Sequence, residues 1–190
     1  MSYMATLFIK NMVCNRCIMV VQHEMDKNGI QIKDIKLGEV TLENELSVEK
    51  KKAIDKSLTL LGFEIIDDKK SRIIEQIKNV IIEQVHYHDD DAKVNLSEVL
   101  ISNLHHDYNY LSNLFSEVEG TTIEKYFIAQ KIEKVKELLV YDELSLSEIA
   151  FQLNYSSVAY LSNQFKKVTG LTPSHFKQIK DDKRKPLDEV

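Results

Sequence analysis

Tryptophan is absent from this 190-residue chain, and proline (two), cysteine (two) and glycine (five) are all scarce. So little Pro and Gly leaves almost no room for linker or low-complexity sequence, and most of the chain should be folded. Its length suits one large domain or two small ones, and two is the expectation. No run of eighteen apolar residues occurs, which excludes a membrane-spanning helix read from sequence. The start MSYMATLFIK lacks the basic-then-apolar build of an export signal, so a cytoplasmic protein with no membrane partner is expected. An excess of positive charge is also missing: the net charge is −5. Residues 1–70 carry eleven Lys/Arg against eleven Asp/Glu, 71–92 two against five, and 93–190 twelve against fourteen. No segment is a basic domain, and any nucleic-acid contact must rest on local placement of lysines and polar groups. Neither a glycine-rich phosphate loop nor a nucleophile elbow can be found, so the chain is not expected to be an enzyme.

What is present divides into two patterns. Up to residue 68, TLFIK alternates as a strand, NRCIMVVQHEMDKNG reads as a helix ending near Gly29, and IQIKDIKLGEVTLE reads as two strands about Leu37 and Gly38. VEKKKAIDKSLTLLG gives a second helix closed by Gly62, and FEII a last strand. That order, β-α-β-β-α-β, is the split arrangement of ferredoxin-like domains. From Ser71 the pattern is helical only, beginning with an apolar face of Ile73, Ile74, Ile77, Val80, Ile81 and Val85. Asn95 with Glu98, Thr121 with Glu124 and Ser145 with Glu148 fit capping boxes, and Thr172 before Pro173 fits a cap with proline at the first helical position. The expected class is α+β: a ferredoxin-like domain over 1–68, an all-α domain of about seven helices over 71–180, and a polar tail over 181–190.

Inside the helical half the chain repeats itself. YLSNLFSEVEGTT, 110–122, and YLSNQFKKVTGLT, 160–172, are identical at eight of thirteen positions, and LSE at 96–98 recurs at 146–148 with the same offset of fifty. Each unit reads as helix, turn, helix. A helical wheel turns Val158, Leu161, Phe165 and Val168 inward in the second copy, and Leu111, Leu114, Phe115 and Val118 in the first. The outward side chains are then Asn109, Ser112 and Asn113, and Ala159, Ser162 and Asn163; Lys166 and Lys167 flank the second set where the first has Ser116 and Glu117. Small and amide-bearing side chains suit a helix in a major groove, where Asn makes paired hydrogen bonds to adenine. Polar residues on a helix are more often a plain solvated face, but a solvated face is free to drift, and this one recurs in step with the core.

LSEIAFQLNYSSVAYLSNQFKKVTGLTPSHFK, 146–177, closely resembles the second helix-turn-helix of AraC/XylS-type transcription regulators, and 71–180 are similar to their whole two-motif DNA-binding domain. The resemblance implies two recognition helices entering successive major grooves of double-stranded DNA, ~34 Å apart, with 124–140 as the joining helix. The family's base-reading positions fall on Asn109, Ser112 and Asn113 and on Ala159, Ser162 and Asn163, with Ser116, Lys166 and Lys167 alongside. The family's usual turn glycine is Asn154 here, a residue that tolerates left-handed geometry. None of the chain's three arginines lies in either recognition helix, and Glu117 and Glu119 make the first half the weaker phosphate partner. Similar adenine-containing subsites in direct repeat are the expected target. RNA polymerase is a further candidate partner.

Cys14 and Cys17, in NMVCNRC, sit where the first strand gives way to the first helix. Being three apart they cannot staple distant segments, and in a reducing cytosol such a pair suggests a soft-metal site or a redox pair. The free N–H groups of a helix start and the charge of Arg16 favour thiolate, which suits Cu(I) or another soft ion. Ion binding, thiol redox chemistry and mere space-filling all remain open on spacing. Residues 4–67 resemble a heavy-metal-associated domain, the fold of copper chaperones and transport ATPases. By that resemblance Cys14 and Cys17 are metal ligands, Met12 packs inside, Phe63 lies near the site, and a metallochaperone is a candidate partner. His86, His88 and Asp89 to Asp91 match no structural zinc spacing and read as a solvated loop, while His105 and His106 fall in the first motif's turn.

The combined expectation is a one-component transcription regulator whose DNA readers respond to a ligand at the dithiol. The rivals are a metal-trafficking or thiol-redox protein whose helical half binds a protein, and a DNA-binding regulator whose front domain is a metal-free docking or dimerisation module.

Overall fold

The computed structural model describes residues 5–87 and 95–179, which divide into two compact units between Asn79 and Val80. The tail over 181–190, and His88 with Asp89 to Asp91, lie outside the described residues.

The first unit runs β1 (Ala5–Lys10), α1 (Asn15–Lys27), β2 (Ile32–Lys36), β3 (Glu39–Leu42), α2 (Val48–Thr59) and β4 (Glu64–Ile66). The strands form one antiparallel sheet in the order β2-β3-β1-β4. Each helix thus joins strands that are not neighbours, and β1 and β3 take the centre. Alternation along β1 sends Ala5, Leu7 and Ile9 to the face where Val21, Met25, Ile54 and Leu58 of the two helices complete the core. The other face carries Phe8, with the Arg72 guanidinium 5.0 Å above its ring. Arg72 belongs to α3 (Lys69–His86), and its Nη2 donates to the carbonyl of Asp67 at 2.6 Å.

One glycine here is dictated by its neighbours. The β2–β3 turn gives Gly38 a φ of +74°, and a Cβ there would run into the Asn79 amide nitrogen. That amide donates to the carbonyl of Leu37 at 3.2 Å, so the turn and α3 fit only without a side chain at 38.

The second unit holds the remainder of α3, then α4 (Leu96–Leu104), α5 (Tyr108–Glu119), α6 (Ile123–Tyr141), α7 (Leu146–Gln152), α8 (Val158–Thr169) and α9 (Pro173–Ile179). Capping is close to the sequence expectation but not identical. Ser145 and Glu148 form the expected reciprocal box. The cap of α6 is Thr122 rather than Thr121, accepting from the Lys125 backbone N–H, so Glu124 falls at the second helical position and cannot close a box. Asn95 accepts from Ser97, not from the third helical residue.

The duplication reaches further than the two helix-turn-helix pairs. Thr122 caps α6 and Thr172 accepts from His175 at the head of α9, fifty residues on. Tyr126 of α6 then meets Phe115 of α5 at 5.6 Å between ring centroids. Phe176 of α9 meets Phe165 of α8 at 5.5 Å in the same way, both within the range of a favourable aromatic pair. Each copy is a three-helix unit closed by an aromatic pair, with Pro173–Ile179 the described part of the third helix in the second.

Candidate nucleic-acid interface

Position on α5 and α8 is fixed by their buried rows. Leu111, Leu114 and Phe115 of α5, and Leu161 and Phe165 of α8, are buried, with Val158 packed at the edge of the second core. Val118 and Val168, expected inward, are each 48% exposed. They lie in the last turn of each helix, where the wheel still points inward but the side chain is only half covered.

Asn109, Asn113, Ala159, Asn163, Lys166 and Lys167 are exposed, and Ser112, Ser116 and Ser162 are half-buried at the border of the core face. The side chains of Asn113 and Asn163 make no hydrogen bond among the described residues, so both amides keep donors and acceptor for a ligand. Sequence reasoning overlooked Tyr110 and Tyr160, which flank the amides at the same offset and are 45% and 54% exposed. The signal was available in the repeated YLSN, which begins with that tyrosine in both copies.

The helix starts are built alike. Asp107 accepts from the backbone N–H groups of Asn109 and Tyr110 at the head of α5, and Ser157 accepts from that of Tyr160 at the head of α8. Both helices end at a glycine in left-handed conformation, Gly120 and Gly170. The turns between helices differ in length, three residues over 105–107 against five over 153–157. His105, φ +53°, ends α4, whereas the left-handed residue after α7 is Asn154, φ +54°, forty-nine positions on rather than fifty. Nevertheless cap-to-cap spacing is the same, from Asn95 to Asp107 and from Ser145 to Ser157. The first motif trades two turn residues for two more of helix, since α4 has nine residues and α7 seven. His106 of that turn meets Tyr110 of α5 with ring centroids 5.3 Å apart and the planes tilted. His86, expected in a solvated loop, instead ends α3, with Nε2 3.1 Å from Gln130 Oε1.

A separate feature lies in the first unit. Cys14 is the N-cap of α1, and its Sγ is 3.3 Å from that of Cys17. Met12 is fully buried in the core, Phe63 is buried too, and the Asn11 amide, on a residue at φ +69°, donates to the Gly62 carbonyl at 2.9 Å. The loop is therefore tied to the start of β4, and the thiols stand partly exposed. Burial pushes the Cys17 thiol up, and its hydrogen bond with Cys14 adds to that; backbone hydrogen bonds from Val13 and Cys14 oppose it without winning. Thiolate is thus less favoured at Cys17 than a helix start alone suggests. Among the described residues no group of three or more His, Cys, Asp or Glu is placed to hold a metal, so the dithiol offers two donors by itself. No described helix is long and apolar enough to cross a membrane.

Comparison with known proteins bears on the helical unit. Residues 101–179 match the family described as a helix-turn-helix domain. The chain is 28% identical over 116 residues, 60% of its length, to an uncharacterized HTH-type transcriptional regulator of Bacillus subtilis (strain 168). It is 33% identical over 72 residues, 38% of its length, to the xylose operon regulatory protein of Escherichia coli (strain K12). These stretches span only 15% and 18% of the two relatives. Among solved structures, the C-terminal domain of AraT, a response regulator from Geobacillus stearothermophilus, is 26% identical with a TM-score of 0.50, covering 59% of this chain and 88% of that one. With two helix-turn-helix pairs on either side of α6, the helical unit contains a domain of the AraC helix-turn-helix type.

Proposed function

We propose that the chain is a sequence-specific DNA-binding transcription regulator whose α5 and α8 enter successive major grooves of one duplex. The observation that carries this reading is the pair Asn113 and Asn163: exposed, without hydrogen-bond partners among the described residues, and at the same place on two helices that are each side-chain capped and packed on a Leu and Phe row. Each amide has the geometry for paired bonds to an adenine edge, so adenine-containing subsites in direct repeat are the target. Lys166 and Lys167 supply phosphate contact on α8. Titrating duplex DNA against salt tests the class, since a helical unit that binds only protein shows no salt-dependent duplex affinity. Selection from a random pool tests the reading. The double variant Asn113→Ala, Asn163→Ala should lose the selected preference while keeping weak, salt-sensitive binding; retention of the preference overturns the assignment.

A soft ion or the thiol state at Cys14 and Cys17 is the proposed input. The strand order β2-β3-β1-β4 supports a ferredoxin-like reading of the first unit, with the dithiol at a helix start. Two sulfurs suit a two-coordinate ion such as Cu(I) better than zinc, which takes four ligands. An effector changes DNA binding only if it favours one of two arrangements of the protein. Comparing operator affinity with and without Cu(I), for the parent and for Cys14→Ser, Cys17→Ser, decides this: a copper effect lost in the variant supports it, and no effect in either sinks the input while sparing the DNA reading.

A further inference from the structure

The two readers are held in place by different means. Leu114 of α5 is buried and apolar, so the seat of α5 at this position is hydrocarbon. Its counterpart on α8 is Gln164, half-buried, whose Oε1 accepts a hydrogen bond from the Tyr155 hydroxyl at 2.7 Å. Tyr155 lies in the turn between α7 and α8. Its ring carries the Lys131 ammonium of α6 4.0 Å above it. That ammonium is also 5.5 Å from the Phe127 ring, so two aromatic faces attract the one charge. Tyr155 thus joins three elements at once: the joining helix through Lys131, the turn through its own backbone, and α8 through Gln164.

This arrangement has a geometric consequence for reading. Gln164 directly follows Asn163, about 100° further round the helix. A helix seated only by apolar contacts can roll by a fraction of a side chain at little expense, because such contacts are not directional. A hydrogen bond to Gln164 is directional, so it limits that roll and fixes the azimuth at which Asn163 meets a base pair. Base edges discriminate only when donor and acceptor are aligned, and a reader locked by a supporting shell discriminates better than a loose one.

We propose that Tyr155, held by Lys131, is a positioning residue that sets the rotation of α8, and that sequence discrimination is therefore concentrated in the half-site α8 reads. The inference rests on the DNA reading above. The subsite under α5, whose seat has no polar counterpart at Leu114, tolerates more bases, while α5 adds grip and spacing.

The test uses the full chain and a selected duplex. The half-site whose base preference disappears in Asn163→Ala is the one under α8. Base preference at each half-site is then measured, as ratios of dissociation constants for single-base changes, in Tyr155→Phe, Gln164→Leu and Gln164→Glu. Tyr155→Phe keeps the ring under Lys131 and removes only the hydroxyl; Gln164→Leu copies the first motif; Gln164→Glu keeps an acceptor. The expected result is a loss of preference of roughly three- to tenfold at the α8 half-site in the first two, the range of one neutral hydrogen bond. The α5 half-site should be unaffected, and Gln164→Glu should retain the α8 preference even though its charge lowers affinity overall. An unchanged α8 preference in Tyr155→Phe overturns the proposal. So does an equal loss at both half-sites, which marks general destabilisation. If the parent protein shows no preferred duplex sequence, the DNA reading itself fails, a result distinct from either.

Discussion

Set side by side, the α4–α5 and α7–α8 pairs share what folds them and differ in what they can touch. Each has a side-chain cap at the second helix, a row of Leu and Phe beneath it, an aromatic ring from the following helix against the Phe, and a left-handed glycine at its end. The outer faces keep a tyrosine and an asparagine in common and then part. Ser116 and Glu117 stand in the first where Lys166 and Lys167 stand in the second, and beneath the faces the buried Leu114 stands where Gln164 meets Tyr155. Duplication preserved the buried Leu and Phe beneath the outer faces of α5 and α8, apart from the position of Leu114 and Gln164. The chemistry of the outer faces was free to diverge, which separates a residue kept by packing from one available for selectivity.

The largest effect tests the shared seat. Phe115 and Phe165 are both fully buried, each against one aromatic ring. Phe115→Ala and Phe165→Ala should each destabilise the helical unit by about 3–5 kcal/mol, as large-to-small aromatic changes in a packed core do. Urea denaturation followed by helical circular dichroism measures both. Similar losses confirm that the copies are equivalent in the core; a change below about 1 kcal/mol in one copy would show that its seat can collapse around the gap, and the equivalence fails.

How far the sequence carried this comparison depends on the kind of residue. Leu111, Phe115, Leu161 and Phe165 were legible because burial imposes a period of about 3.6 and the repeat printed it twice. The left-handed Asn154 was legible because few residues accept that conformation. Val118 and Val168 were misread because periodicity gives direction but not how far the side chain is covered. The Thr122 cap was misplaced by one residue because two threonines adjoin and only geometry decides between them. The bond from Tyr155 to Gln164 spans nine residues and a turn, and no local pattern announces it. At the dithiol, proximity was legible from spacing, whereas the rise in the Cys17 thiol came from burial that depends on the surrounding core.

A smaller effect probes the divergent faces. If α8 carries the phosphate grip, Lys166→Gln with Lys167→Gln should lower the slope of log affinity against log salt by about two, since each phosphate that is no longer neutralised removes about 0.9. Ser116→Lys with Glu117→Lys should raise it by a similar amount, making α5 resemble α8. Binding isotherms at four or five salt concentrations read both slopes. Equal slopes in all three proteins would mean that neither last turn approaches the backbone, and the asymmetry of grip would be lost.

The smallest effect is a pH dependence that belongs to the second motif alone. Burial depresses the Lys131 ammonium from the usual 10.5 to about 8. Between those values the unfolded chain binds a proton that the folded one does not, so this group makes stability rise as pH climbs from about 8 toward 10.5, with its penalty fully present below. Tyr155 acts in the opposite sense at higher pH: burial, then the neighbouring Tyr160, pushes its phenol up, so the folded state keeps its proton longer and that contribution declines above the usual value of 10. The window from about 8 to 10 therefore isolates the lysine. Lys131→Met keeps an unbranched apolar stem against Phe127 and Tyr155 and removes the titration. Parent minus variant stability, from urea unfolding at half-unit steps, should rise across that window. The Tyr155 ring, 4.0 Å beneath the ammonium, pulls the other way by favouring the charged form. A flat difference would mean that this attraction cancels burial, and Lys131 would then anchor Tyr155 at no electrostatic cost, a tighter seat for α8 than desolvation alone allows.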